Sequence, residues 1–331
     1  MEIENEMNRG LHCFSLLVAA ATLFLIIAGA LVTSNDAGLA TSDWPLSDGQ
    51  FFPKMVGNLF WEHGHRMVAT TVGLLTIVLT FYLFRKEPRR WVRRLGLFAL
   101  LAVITQGLLG GLTVKLMLPL AVSTAHATLA QIFFCITVSL AVFTSRSWLT
   151  PRPQIEEQPG LPVRYLSLAA TAAVFFQLII GATLRHSASW DQHLPADLIL
   201  AHIGGAATVT ILVVSVSTMI VRRYPDQKFL TRPAMTALML LLIQLLLGLG
   251  AYLTRLASPN DPQPLNPMIA ITVAHVACGA LVFATTIVLT LRVFLVLRAS
   301  ARLAFTPDSG TVSRVQELAI PIQGPQARRL K

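Results

Sequence analysis

Long apolar runs, broken by short polar stretches, set the pattern of the chain. Runs of helix-spanning length fall at roughly 11–33, 64–84, 95–115, 121–144, 164–184, 197–221, 233–254 and 268–297. A bilayer core about 30 Å thick needs about 20 mainly apolar residues in a helix. The pattern therefore predicts eight transmembrane helices and leaves no room for a separate soluble domain. The fold class expected is all-α, a polytopic membrane protein whose eight helices form two pseudo-repeated four-helix bundles. The division falls near the segment 145–163, which holds Pro151, Pro153, Glu156, Glu157 and Pro159. It gives an N-terminal half over 1–150, a C-terminal half over 151–300 and a tail over 301–331. The first span follows a short acidic start and runs on into a loop without a small-residue cleavage site. It reads as a retained helix, not a signal peptide.

Polar residues inside the spans repeat. Gln106 and Gly110 on the third span lead to His126 on the fourth. Gln177 and Gly181 on the fifth lead to His202 on the sixth, and Gln244 and Gly248 on the seventh lead to His275 on the eighth. The first hairpin is looser: Leu25-Ile26-Ile27-Ala28-Gly29 leads to Gly64-His65-Arg66. Each odd helix thus carries a small residue that allows close approach of a neighbour, and each even helix carries a histidine near one end. Pro119, Pro195 and Pro267 precede three of these histidines by seven or eight residues. Proline suits a helix start, where its missing N–H costs nothing, so the imidazoles are expected about 10–12 Å along their helices. Each half then presents two histidines to its own interior.

Charge adds the orientation. The chain has 26 Lys and Arg against 16 Asp and Glu, a net charge of +10. With the N-terminus inside, the inner segments hold 21 of the basic residues and the outer side only Lys54, Arg66, Lys115, Arg185 and Arg255. That bias puts both termini in the cytoplasm. It also accounts for the basic excess without nucleic acid. Cys13, Cys135 and Cys278 all lie in apolar spans, so no disulfide framework or paired-cysteine metal site is expected, and each reads as a small buried hydrophobe.

Ionisable residues inside spans are costly and default to functional candidates. One such histidine is equally a polar bridge between helices; a repeating set is harder to explain that way. Histidines from facing helices of a bundle hold haem iron from both sides. His12, His186 and His193 break the repeat and read as solvated or interfacial. In Glu62-His63-Gly64-His65-Arg66, Glu62 and His65 share a helix face. Three readings compete there: an axial ligand with a carboxylate beside the reacting group, half of a dinuclear iron site, or a polar membrane border. A dinuclear site needs a second Glu-x-x-His, which the sequence lacks. His63 is a rival ligand, and the repeat register favours His65. The preceding loop, about 34–61, is long enough for a lid or binding loop. Its Trp44, Phe51, Phe52, Phe60 and Trp61 also suit an interfacial aromatic belt.

From about residue 12 to about 297 the chain resembles the haem A synthase family. The resemblance rests on Gly-Leu-Ala-Thr-Ser-Asp-Trp-Pro (38–45), Glu-His-Gly-His-Arg (62–66), the Gln106–Gly111 and Gln177–Gly181 segments, and histidines 126, 202 and 275. It implies an oxidoreductase of the bacterial cytoplasmic membrane that oxidises the porphyrin C8 methyl group of haem O to the formyl group of haem A. By motif match, His65 and His126 would be axial ligands of haem O or haem A, His202 and His275 of a resident haem b, and Glu62 the catalytic carboxylate. The implied partners are the bilayer, a haem O synthase, haem–copper cytochrome oxidase assembly and an electron donor, with a homo-oligomer compatible. Thr41 and Ser47 stand about where many bacterial members carry paired loop cysteines. A loop thiol role therefore cannot operate here, and the loop looks more like the mitochondrial branch. Two other functions share the four histidines: a non-enzymatic di-haem b electron carrier, which has no need of Glu62, and a haem carrier or transporter. Inverted repeats are common in transporters, whereas these hairpins repeat in one orientation.

Overall fold

A computed structural model describes residues 8–191, 195–257 and 265–298, with the side chains of 188–191 excepted. Among them are eight helices long and apolar enough to cross a membrane. In chain order these are α1 (Arg9–Ser34), α2 (Asn58–Lys86), α3 (Arg90–Lys115), α4 (Leu120–Phe143), α6 (Val163–Asp191), α7 (Ala196–Arg223), α8 (Lys228–Ala257) and α9 (Asn266–Val296). A single turn, α5 (Arg146–Leu149), leads into the connection between the halves. The protein is a multi-pass membrane protein. Exposed Phe24, Phe98, Leu108, Ile211 and Leu246 cover the outside of the bundle, as lipid-facing surface requires.

The helix starts follow from local chemistry. Asn8 caps α1 by accepting from the Leu11 amide at 2.9 Å, satisfying one of the free amides of the first turn. Pro119 and Pro195 immediately precede α4 and α7, and Pro267 sits in the first turn of α9, as the sequence predicts. The sequence placed the second span at 64, yet α2 begins at Asn58. Glu62, His63, His65 and Arg66 lower the hydropathy of a stretch that is nonetheless helical. Buried hydroxyls return their hydrogen bonds to their own helices, Thr22 to the Val18 carbonyl and Thr76 to the Val72 carbonyl, both at 2.7 Å. The hydroxyl hydrogens of these two residues are thereby kept from facing hydrocarbon.

Helix α1 packs on α2, α2 on α3, α3 on α4 and α4 on α1; α6 to α9 close a second ring in the same way. The first ring is filled by Leu11, Val18, Leu79, Leu83, Phe133 and Leu140. The second is filled by Val213, Val216, Ile220, Leu230, Leu289 and Val293. They meet where α1 and α4 lie against α6 and α9, and Ile26, Phe134, Ala280 and Ala284 form that seam. At the end opposite the histidines, β1 (Ile155–Glu156) and β2 (Leu297–Arg298) pair in parallel and clip the inter-half connection to the end of α9.

Candidate functional site

Each of the four histidines rests against a glycine of the preceding long helix. A Cβ placed on Gly29, Gly110, Gly181 or Gly248 would meet Cε1 of His65, His126, His202 or His275 at 3.1, 3.2, 3.0 and 2.9 Å respectively. The small residues seen in the repeat are therefore the floor on which each imidazole lies. The even helices all start at one end of the bundle, so the four rings lie at similar depth, roughly 9–14 Å along their helices. All four are half-buried.

A second contact recurs in three hairpins. The amide Nε2 of Gln106, Gln177 and Gln244 lies 3.4, 3.0 and 3.3 Å from a ring nitrogen of His126, His202 and His275. Gln106 and Gln177 also donate to the carbonyl of their histidine at 2.9 and 2.8 Å. His65 has no such glutamine; Leu25 holds the corresponding place four residues before Gly29. Nδ1 of His65, His126 and His275 is buried without a hydrogen-bond partner. A metal-binding histidine usually has its second ring nitrogen held by a polar partner, and in three hairpins the glutamine amide stands beside one ring nitrogen.

The histidines pair within halves. His202 and His275 face each other with ring centroids 6.3 Å apart. Metal–imidazole bonds are about 2 Å long, so one iron between the two rings fits this spacing. His65 and His126 share the interior of the first ring and interact electrostatically. The residues present thus fit haem in both halves. Among the described residues no group of three or more His, Cys, Asp or Glu gathers to hold a bare metal ion.

The start of α2 serves the loop before it. Glu62 and His63 are buried. Glu62 Oε2 accepts from the Thr41 amide at 3.1 Å, and Oε1 is ion-paired with Arg66. Arg66 Nη1 donates to the carbonyls of Asp43 (2.9 Å) and Leu46 (2.7 Å) and to Ser47 Oγ (3.1 Å). His63 uses both ring nitrogens on the same loop, against Ser47 Oγ at 2.8 Å and the Phe51 carbonyl at 3.1 Å. Both of its ring nitrogens are thus engaged by the loop, whereas Nδ1 of His65 has no hydrogen-bond partner. The far side of the loop reaches the next hairpin. Lys115 Nζ donates to the Ser42 carbonyl at 3.1 Å, and the Trp44 ring occupies the space over Gly111. The loop thus covers the histidine end of the first ring.

Helix α6 carries two residues that sequence reading left at the margin. Arg185 donates from Nη2 to Ser34 Oγ on α1 at 2.5 Å. His186 is half-buried, and it interacts electrostatically with His126 and Arg185. Its place near the end of the span Val163–Ser187, with partial burial, is compatible with the interfacial reading. His193 lies outside the described residues. Cys135 and Cys278 are buried, whereas Cys13 is exposed; on the first membrane helix that surface faces lipid, not protein.

The chain is similar to known proteins over most of its length. Residues 55–192 match the family described as cytochrome oxidase assembly protein (COX15-CtaA). The matched stretch runs from the start of α2 through α6 and so contains His65, His126 and the loop-binding cluster. Over that stretch the chain is similar to this family. It is similar to the haem A synthase of Bacillus licheniformis, with 24% identity over 270 residues, 76% of this chain and 88% of that protein. It is similar also to the haem A synthases of Symbiobacterium thermophilum, at 28% identity over 72% of this chain and 85% of that protein, and of Halalkalibacterium halodurans, at 26% over 75% and 89%.

Proposed function

We propose that this protein is a haem A synthase, an oxidoreductase that converts the C8 methyl group of haem O to the formyl group of haem A. The observation that carries the reading is the fourfold glycine–imidazole contact, which presents two histidines to the interior of each helix ring inside a membrane protein similar to this family. The α1–α4 half binds the substrate, with His65 and His126 toward its iron. The α6–α9 half keeps a haem b on His202 and His275, a group that supplies one-electron chemistry when bound. Oxidation of a methyl to a formyl group removes electrons and protons and adds an oxygen atom, so substrate must be held still while a proton acceptor stands nearby. Glu62 is that acceptor, three residues from His65 on the same helix face. The lid formed by residues 35–57 shields the reacting edge from water.

The remaining assignments follow from the chemistry of the surroundings. The bundle sits in the bacterial cytoplasmic membrane with both termini cytoplasmic, from the 21 inner against five outer basic residues. Haem O comes from a membrane haem O synthase, and haem A goes to haem–copper oxidase assembly. An electron carrier without catalysis is the second reading, favoured by one observation: both Glu62 oxygens are already engaged by Thr41 and Arg66. Co-expression with a haem O synthase in a host lacking haem A decides between them. Haem A in the extract is expected; unchanged haem O with fully loaded haem b would establish the carrier.

A further inference from the structure

Arg185 is a cation placed among imidazoles. It stands one turn along α6 from Gly181, the glycine under His202, and so just beyond the layer of histidine rings. Its guanidinium crosses the seam, donating to Ser34 Oγ at 2.5 Å and reaching the Ala30 carbonyl at 3.5 Å. Both acceptors are neutral. The titratable groups it interacts with are imidazoles, His186 beside it and His275 across the second ring. Among the described residues four ion pairs exist, joining Arg66 to Glu62, Arg89 to Glu87, Arg164 to Glu157 and Arg298 to Glu156, and Arg185 belongs to none.

An interior guanidinium with no ion pair among the described residues is expensive in a membrane protein. Arg66, at the same end of the bundle, shows the usual solution, since it has Glu62. Two hydrogen bonds to neutral oxygens do not neutralise Arg185, and a planar fork with donors left over is suited to a carboxylate. The carboxylates that a haem brings are its propionates, at one edge of an otherwise apolar disc. A haem gripped between His202 and His275 can turn that edge toward the layer one turn outward, where Arg185 waits.

We propose that Arg185 is the counter-ion of a propionate of the haem held between His202 and His275. It thereby binds that haem's edge while its bond to Ser34 ties the same edge to the first half. This rests on the haem b site of the proposed function. Arg185 is a binding residue for the resident group and takes no part in the reaction.

A carboxylate stripped of its cation in a low-dielectric site adds negative potential at the iron and disfavours the ferrous state. The test is redox titration of purified holoprotein. In Arg185→Gln, which keeps a donor for Ser34, the low-spin haem b spectrum persists while its midpoint potential shifts down. Arg185→Lys restores most of the shift. Ser34→Ala, which removes the tie to α1 and leaves the charge, does not move the potential. His202→Ala and His275→Ala report separately on the site, and both lose the haem b signal. An unchanged potential in Arg185→Gln, an equal shift in Ser34→Ala, or a shift confined to the substrate haem would each overturn the proposal while leaving the bis-histidine site intact. Full haem b in both histidine variants would instead remove the site on which it rests.

Discussion

Glu62 and Arg66, one helical turn apart on α2, form a buried ion pair whose outer atoms hold the loop that precedes the helix. Glu62 takes the Thr41 amide, and Arg66 takes two loop carbonyls and Ser47. The proposed catalytic carboxylate is thus also a structural one, and the two duties are separable by substitution.

Glu62→Gln keeps the size and an acceptor for the Thr41 amide but removes the titrating group. The variant is expected to fold, to keep the 35–57 loop as resistant to protease as in the parent, and to retain haem b. Haem extraction should show haem O or a hydroxylated intermediate and no haem A. A normal yield of haem A would end the catalytic role, and loss of all haem would make Glu62 purely structural.

Arg66→Ala tests the clamp. It leaves Glu62 without its partner and frees the carbonyls of Asp43 and Leu46. Breaking a buried pair costs about 3–5 kcal/mol; the 14% exposure of the Arg66 side chain puts this one near the lower end. Cleavage within 35–57 by added protease should accelerate, with haem b content unchanged. Equal cleavage rates in parent and variant would show that the loop is held by Trp44 and Lys115 instead.

The eight spans, the helix-start prolines and the glutamine–glycine–histidine repeat were all legible in the sequence, because each rests on a side-chain type at a fixed spacing. The loop clamp was not. Its acceptors at Asp43, Leu46 and Phe51 are backbone carbonyls, which any residue supplies, and nothing in the letters says that Arg66 will find them. His63 looked like a rival ligand for the same reason: both of its nitrogens are spoken for by a loop whose path only the fold reveals. Arg185 entered the sequence reading merely as one of five outer cations. Its lack of a carboxylate partner among the described residues depends on which helices meet at the seam, and no local pattern encodes that.

The glycines under the imidazoles make a graded test. In Gly248→Ala the new methyl would stand 2.9 Å from His275 Cε1, so the ring must shift or the helices part. Haem b per polypeptide is expected to fall at least severalfold with the protein still inserted. Gly107, in the same kind of segment, faces open space within 4 Å. Gly107→Ala should leave haem content alone and stabilise α3 by up to about 1 kcal/mol. Equal haem content in the two variants, read from pyridine haemochrome spectra, would separate the glycines from the site.

Orientation is read from outside the cell. The side chain of Gln50 is exposed in the loop above the histidine end, so Gln50→Cys should react with a membrane-impermeant maleimide in intact spheroplasts. Cys13, Cys135 and Cys278 lie within spans and should remain silent. Labelling only after the membrane is opened would invert the topology.

The glycine–imidazole contact sits within one hairpin in every case: Gly29 with His65, Gly110 with His126, Gly181 with His202 and Gly248 with His275. A hairpin therefore sets its own helix spacing around its own ring before any other hairpin joins it. Read as ancestry, the smallest heritable unit is one hairpin contributing one axial ligand. Copying it once gives a symmetrical pocket, and copying that pair gives two pockets free to diverge. Leu25 stands where the other three hairpins carry glutamine, so the first hairpin is the one that departs from the shared pattern. It lies in the pocket proposed for the substrate haem.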